Sequence, residues 1–139
     1  RPHISSLGQV QGVPGAYADL ARHPETSPIP GVLIVRVDGQ LYYANALTVR
    51  DRVKAMIADL ATPPRAVILD AAAWDQIDLT SVEVSMGLVK ELHGRGIEVY
   101  LADVHKPVLE YGRQLGLLEL IGEDHVFATV DLAVRSLEA

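Results

Sequence analysis

Cysteine is absent from the 139-residue chain, which excludes a disulfide scaffold and a thiolate nucleophile and is compatible with a reducing cytoplasm. Aromatic residues make up only 5%, so a core has to be built mainly from Val, Leu, Ile and Ala. Positive charge is short: 12 Lys and Arg stand against 18 Asp and Glu, for a net charge of −6. The basic residues are scattered, so nucleic acid is excluded as a partner and docking to an anionic membrane surface is disfavoured. No apolar run approaches the roughly 18–20 residues a membrane-spanning helix needs, and no signal-peptide pattern is visible. The expectation is a soluble chain. It starts at Arg1 without Met, which processing, trimming or excision from a longer protein would explain.

Hydrophobic residues reach 49% and charged residues 22%, the composition of one ordinary globular domain. The first thirty residues have little periodic pattern. They read as linker, with "AYADL" (16–20) as a short edge strand and Pro-rich "SPIPG" (27–31) as helix-hostile. "VLIVRV" (32–37) is a buried strand by its β-branched run, and Asp38-Gly39 between apolar runs predicts a hairpin. From Asn45, the expected N-cap, a helix follows with Leu47, Val53, Met56, Ile57 and Leu60 on its apolar face, ending at Pro63.

"RAVILD" (65–70) and "IEVYLAD" (97–103) are two more core strands. The helix between them should end at "HGRG" with Gly94 as the left-handed cap residue. A helix from about Pro107 to Leu115, a short strand in "HVFAT" (125–129) and a closing helix in "VDLAVRSLEA" (130–139) complete the chain. Strands that alternate with helices predict an α/β fold: a small mixed, mainly parallel sheet with helices packed against it.

In such a sheet ligands sit outside the carboxyl ends of the parallel strands. Four loops leave there: around Asp38, from Asp70 to Thr80, from Asp103 to Lys106, and after Phe127. "WDQIDLTSVEV" (74–84), in the longest, is the leading functional stretch. Thr80-Ser81-Val82-Glu83 spells a capping box, in which the Thr80 hydroxyl and the Glu83 carboxylate satisfy each other's amides. Asp78, just outside, favours the helix dipole. Trp74 is read as packed against a neighbouring element rather than as a stacking platform.

No catalytic set emerges. His3, His23, His93, His105 and His125 lack metal-ligand spacing, and neither HExxH nor a P-loop occurs. Asp38, Asp70 and Lys106 sit at strand ends as in a phospho-acceptor receiver, but only one helix and one strand separate Asp70 from Lys106, and the paired acids are missing. The expectation is no enzyme and no bound metal.

The chain resembles the STAS domain at the cytoplasmic C-terminus of SulP-type anion permeases. The resemblance rests on "AYADLARHPETSPIPGVLIVRVDGQLYYANA", with Tyr-x-Asp, a Pro-Gly turn, an apolar strand carrying Arg36, and Leu41 to Asn45. "VILDAAAWDQIDLTSVEVSMGLVKEL" adds the strand, loop and Asp-x-Thr helix start, and "RPHISSLGQV" resembles the connector after the last membrane helix. The resemblance implies a connector over residues 1–15 and a STAS domain over 16–139. It implies a non-catalytic regulatory module on the cytoplasmic face of a sulfate-class transporter, contacting that protein's membrane domain and cytosolic regulatory proteins. It also implies a ligand or partner site around Asp38, Trp74, Asp78, Leu79, Thr80, Ser81, Asp103, His105 and Lys106, with weak binding of GTP, GDP or ATP to be tested there. The alternative is a free-standing phospho-switch like the anti-sigma-factor antagonists. Their Asp-Ser-Ser-Gly motif places its acceptor on Thr80 and its Gly on Ser81.

Overall fold

A computed structural model of the chain describes residues 2–40 and 43–138. Three apolar strands, β4 (Val32–Asp38), β5 (Ala66–Asp70) and β6 (Glu98–Ala102), lie side by side and parallel, with Ile34 level with Ile68 and Ile68 level with Tyr100. These strands do not alternate apolar with polar residues, because both of their faces are covered. Leu33, Val35, Val67 and Val99 point into one core, and Val32, Ile34 and Ile68 into another. Among the described residues the sheet has seven strands. β1 (His3–Val10) runs antiparallel on the outer side of β4, and β2 (Tyr17–Asp19) and β3 (Thr26–Ser27) both pair with β1. At the other edge, β7 (Val126–Phe127) is parallel to β6.

The larger core lies under α1 (Tyr43–Ala58), α2 (Leu79–Gly94), α3 (Lys106–Gln114) and α4 (Leu117–Ile121). α1 presents Ala46, Val49, Val53 and Ile57, and α2 presents Val82, Leu88, Val89 and Leu92. On the opposite face α5 (Val130–Glu138) packs Ala133 and Val134 against Leu7, Ile34 and Ile68. Its end is held by Arg65, whose guanidinium donates to the Leu137 carbonyl at 2.8 Å. None of the helices described is long and apolar enough to cross a membrane.

The α/β reading, the parallel core strands and the later helices agree with the structure. Several local expectations do not. The opening residues are not patternless chain: His3–Val10 is a strand of the sheet, bonded on both sides. Two serines and a glycine dilute its strand propensity, and only pairing with neighbours remote in sequence reveals it. Asp38-Gly39 makes no hairpin, because both flanks of β4 are occupied by β1 and β5. The chain turns there through Gly39 at φ 123° and enters α1; Leu41 and Tyr42, the rest of the hairpin and of the aromatic signature, lie outside the described residues.

Asn45 does not cap α1. It is already inside the helix, buried, and its amide donates to the Gln40 carbonyl at 2.7 Å. The apolar face is accordingly turned: Leu60 lies beyond the helix and is exposed, and Leu47 is only half-buried. α2 runs through Gly94. The left-handed residue is Gly96 (φ 75°), whose amide bonds to His93 O while the Ile97 amide bonds to Leu92 O. That is a Schellman closure, centred on Gly96 where the sequence pointed to Gly94.

The capping box is also displaced. Asp78 is the N-cap of α2, extended at φ −97°, ψ 168°, and its carboxylate accepts the Ser81 amide at 2.7 Å. A carboxylate at this position satisfies an orphan amide and also complements the helix dipole, which a Thr hydroxyl cannot do. Thr80 is therefore an exposed residue of the first turn.

Asp78→Ala should lower the stability of the chain by about 1 kcal/mol, and Thr80→Ala should change it by less than about 0.5 kcal/mol, both read from urea melts. Gly8 carries β1 past β3 so closely that an added Cβ would fall 2.7 Å from Ser27 O and would overlap the Leu20 side chain. Gly8→Ala should cost about 1–3 kcal/mol in the same measurement.

Candidate functional site

Because β4 to β7 are parallel, their carboxyl ends meet at one edge of the sheet, and the register aligns Arg36 with Asp70, Asp70 with Ala102, and Ala102 with Phe127. Arg36 and Asp70 are thus neighbours in adjacent strands on the face covered by α5. Arg36 Nε donates to Asp70 Oδ2 at 3.0 Å, and the Ala72 amide donates to Asp70 Oδ1 at 3.1 Å. The Asp70 side chain is only 5% exposed, so this charge is held in place by both bonds, while the Arg36 side chain, 38% exposed, reaches into an open cleft.

That cleft is lined by Gly15, Tyr17, Arg36, Asp70, Asp103 and the start of α5 from Thr129 to Asp131. Tyr17 donates its hydroxyl to Asp131 Oδ1 at 2.9 Å. Burial, then the bond to the Asp131 carboxylate, pushes the Tyr17 phenol well above its ordinary range, so it stays a donor at any physiological pH. Thr129 closes the helix start, its hydroxyl accepting the Leu132 amide at 3.1 Å. Asp103 enters at φ 58°, the left-handed region, with its amide on the Phe127 carbonyl at 3.1 Å. Three carboxylates and one guanidinium give a cleft suited to polar contact.

On the opposite face, above the helices, a second cluster joins three exit loops. The Gln40 side-chain amide donates to Ala73 O at 3.2 Å and to Asp75 Oδ2 at 3.3 Å, and its oxygen accepts the Asp75 amide at 3.4 Å. His105 Nε2 lies 2.7 Å from Ala72 O, and its Nδ1 lies 3.4 Å from Asp75 Oδ1. Gln40, Asp75 and His105 thereby lash the loops after β4, β5 and β6 together.

The residues singled out from the sequence do not form one pocket. Asp103 lines the cleft with Arg36, and His105 belongs to the loop cluster on the other face. Asp78, Leu79 and Thr80 are exposed at the start of α2, with Leu79 50% accessible. Lys106 opens α3 and Asp38 closes β4, both at the surface. Trp74 and Ser81 are buried, at 6% and 0% exposure; Trp74 packs in the larger core as its sequence reading expected. The enclosed apolar cavity beside Trp74 measures about 50 Å³, far below the ~300 Å³ at which ligand pockets begin.

Sequence reasoning missed Tyr17, Asp131 and Thr129 as neighbours of Arg36, and Gln40 and Asp75 as neighbours of His105. These groups are separated by 114 residues in the Tyr17–Asp131 pair and 35 in the Gln40–Asp75 pair. The strand ends common to the exit loops could have suggested Gln40, Asp75 and Thr129, whereas Tyr17 lies on β2 and comes from none of those loops.

This architecture recurs in known proteins. A domain of murine Slc26a9, an anion transporter solved in the inward-facing state, superimposes on 99% of the chain with a TM-score of 0.90 at 24% identity, and the chain covers 22% of that protein. An anti-sigma factor antagonist from Mycobacterium paratuberculosis superimposes on 99% of the chain with a TM-score of 0.67 at 16% identity, the match covering 96% of its length. At these identities the two show the fold. In sequence, the chain is 34% identical over 135 residues, 97% of its length, to a probable sulfate transporter of Mycobacterium tuberculosis, and spans 24% of that protein. Residues 23–133 match the family model described as the STAS domain, and the chain belongs to the STAS domain family.

Proposed function

We propose that the chain is the cytoplasmic regulatory and interaction domain of a sulfate-class anion transporter, and that it performs no catalysis of its own. The observation that carries this reading is the similarity to a probable sulfate transporter along 97% of the chain, which spans only 24% of that relative. The residues before β2 then form the approach from the membrane domain, with His3–Val10 absorbed into the sheet at its end. The surface offered to partner proteins is the loop edge of the sheet, where Asp38, Asp75, Asp78, Leu79, Thr80, Asp103 and Lys106 are all exposed.

Thr80 supports a regulatory role for that edge. Its backbone is fixed in the first turn of α2 by the Asp78 cap, its side chain is exposed, and the cap does not depend on it. A phosphate there would sit near helix-start amides, next to the acidic Asp78, and change the charge of the edge without unfolding the domain. The same geometry serves the alternative reading, a free-standing phospho-switch with Thr80 as acceptor, which the fold shared with an anti-sigma factor antagonist supports.

Nucleotide binding is proposed as weak. GTP, GDP or ATP entering the cleft beside Arg36 would meet Asp70, Asp103 and Asp131, whose charges oppose a polyphosphate. Amide-shift titration should show no saturation below roughly millimolar nucleotide, a range typical of weak ligands.

Reading the coding sequence upstream of Arg1 tests the transporter assignment directly: a run of apolar helices is expected, and its absence removes the proposal. With the whole transporter expressed in cells that lack sulfate uptake, Thr80→Ala and Thr80→Glu should change radiolabelled sulfate uptake while leaving protein abundance unaltered. Equal uptake by wild type and both variants would remove Thr80 from regulation.

A further inference from the structure

The helix that covers the smaller core is short, and few apolar side chains seat it. α5 spans nine residues, below the roughly 12–15 that an isolated helix needs in water, so it stands by its tertiary contacts. It buries only Ala133 and Val134 fully, with Val130 and Leu137 packed partly against the sheet. α2, on the other face, buries Ser81, Val82, Leu88, Val89 and Leu92. Small apolar side chains gain little on burial, so α5 is the more weakly seated of the two. Beneath it lie Leu7, Ile34 and Ile68, all at 2% exposure or less.

Two hydrogen bonds from outside the helix hold its ends. At the start the Tyr17 hydroxyl donates to Asp131 Oδ1 at 2.9 Å, from 114 positions away. At the end Arg65 Nη2 donates to Leu137 O at 2.8 Å. That bond satisfies one of the carbonyls a helix terminus leaves free and sets a cation at the negative end of the helix dipole. Neither donor's backbone is placed by α5. Tyr17 sits in β2, paired with Gln9 of β1, and the Arg65 backbone is fixed by Gly31 O and the Glu98 amide. We propose that α5 is a strap that opens from the sheet as a unit about the exposed Ala128 and Thr129, while the four-helix face stays folded. Tyr17 and Arg65 are the clasps that hold it shut.

Opening uncovers the apolar face of Leu7, Ile34 and Ile68, and the clasps set how often that happens. The Tyr17 clasp belongs to the segment that follows β1, so a pull on β1 reaches α5 through it. That consequence rests on the function proposed above, in which β1 ends the approach from the membrane domain. The strap itself does not, and its test uses the 139-residue chain alone.

Native-state amide hydrogen exchange in a series of low urea concentrations decides the matter. In the wild-type chain the amides of Val134 and Leu137 should exchange through one shared opening, with a weaker urea dependence than those of Ile34 and Ile68. Val89→Ala, which loosens the packing under α2, should speed exchange in the strands and leave α5 unchanged. Tyr17→Phe and Arg65→Ala should each speed α5 exchange about twofold to tenfold, the loss of one hydrogen bond. Protection that falls stepwise from Val134 to Leu137 is fraying of the last turn and overturns the proposal. So does a urea dependence equal to that of the strands, or acceleration of α5 by Val89→Ala. An unchanged α5 rate in both clasp variants overturns it as well.

Discussion

The parallel register of β4, β5 and β6 is the constraint on which everything else depends. Parallel neighbours cannot be joined by a tight turn, so each pair needs a crossover, and here the crossovers are helices. The strands between them are apolar on both faces, which demands cover on both: four helices on one side and α5 on the other. The same register places every exit loop at one edge. Polar groups that no strand or helix requires collect there, and the surface proposed for partners is a consequence of strand direction before it is a consequence of any residue.

Within that edge, buried and accessible charges do different things. Asp70 is almost fully enclosed and is held by Arg36 and the Ala72 amide, so removing Arg36 would strand a carboxylate in the interior. Asp75, Asp78 and Asp103 are exposed, and their contacts are individually weak but join loops to one another or start a helix.

The legible part of the fold was the part set by local chemistry. "VLIVRV", "AVILD" and "IEVYL" announce strands by β-branched runs, and Pro107 announces the start of α3. The errors fell where two local signals competed or where pairing partners were remote. Thr80 and Asp78 both qualify as caps, and the carboxylate prevailed because it also answers the helix dipole. Asp38-Gly39 has turn chemistry but no free strand edge on which to fold back. "HISSLGQV" has weak propensity and became a strand because β4 on one side and β2 and β3 on the other supplied its hydrogen bonds.

By itself the sequence determined the class of fold and the order of the core strands and helices, because periodicity and β-branched runs report burial locally. Its family resemblance agreed with the STAS match. Which side chains meet at that edge was decided only by the tertiary structure. Arg36 finds Asp70 through strand register, Tyr17 finds Asp131 across more than a hundred positions, and His105 finds Asp75 through the crossing of two loops. Such contacts depend on relative position in space, which no local pattern encodes, and they sort the proposed residues into a cleft, a loop cluster, an exposed helix start and a buried pair.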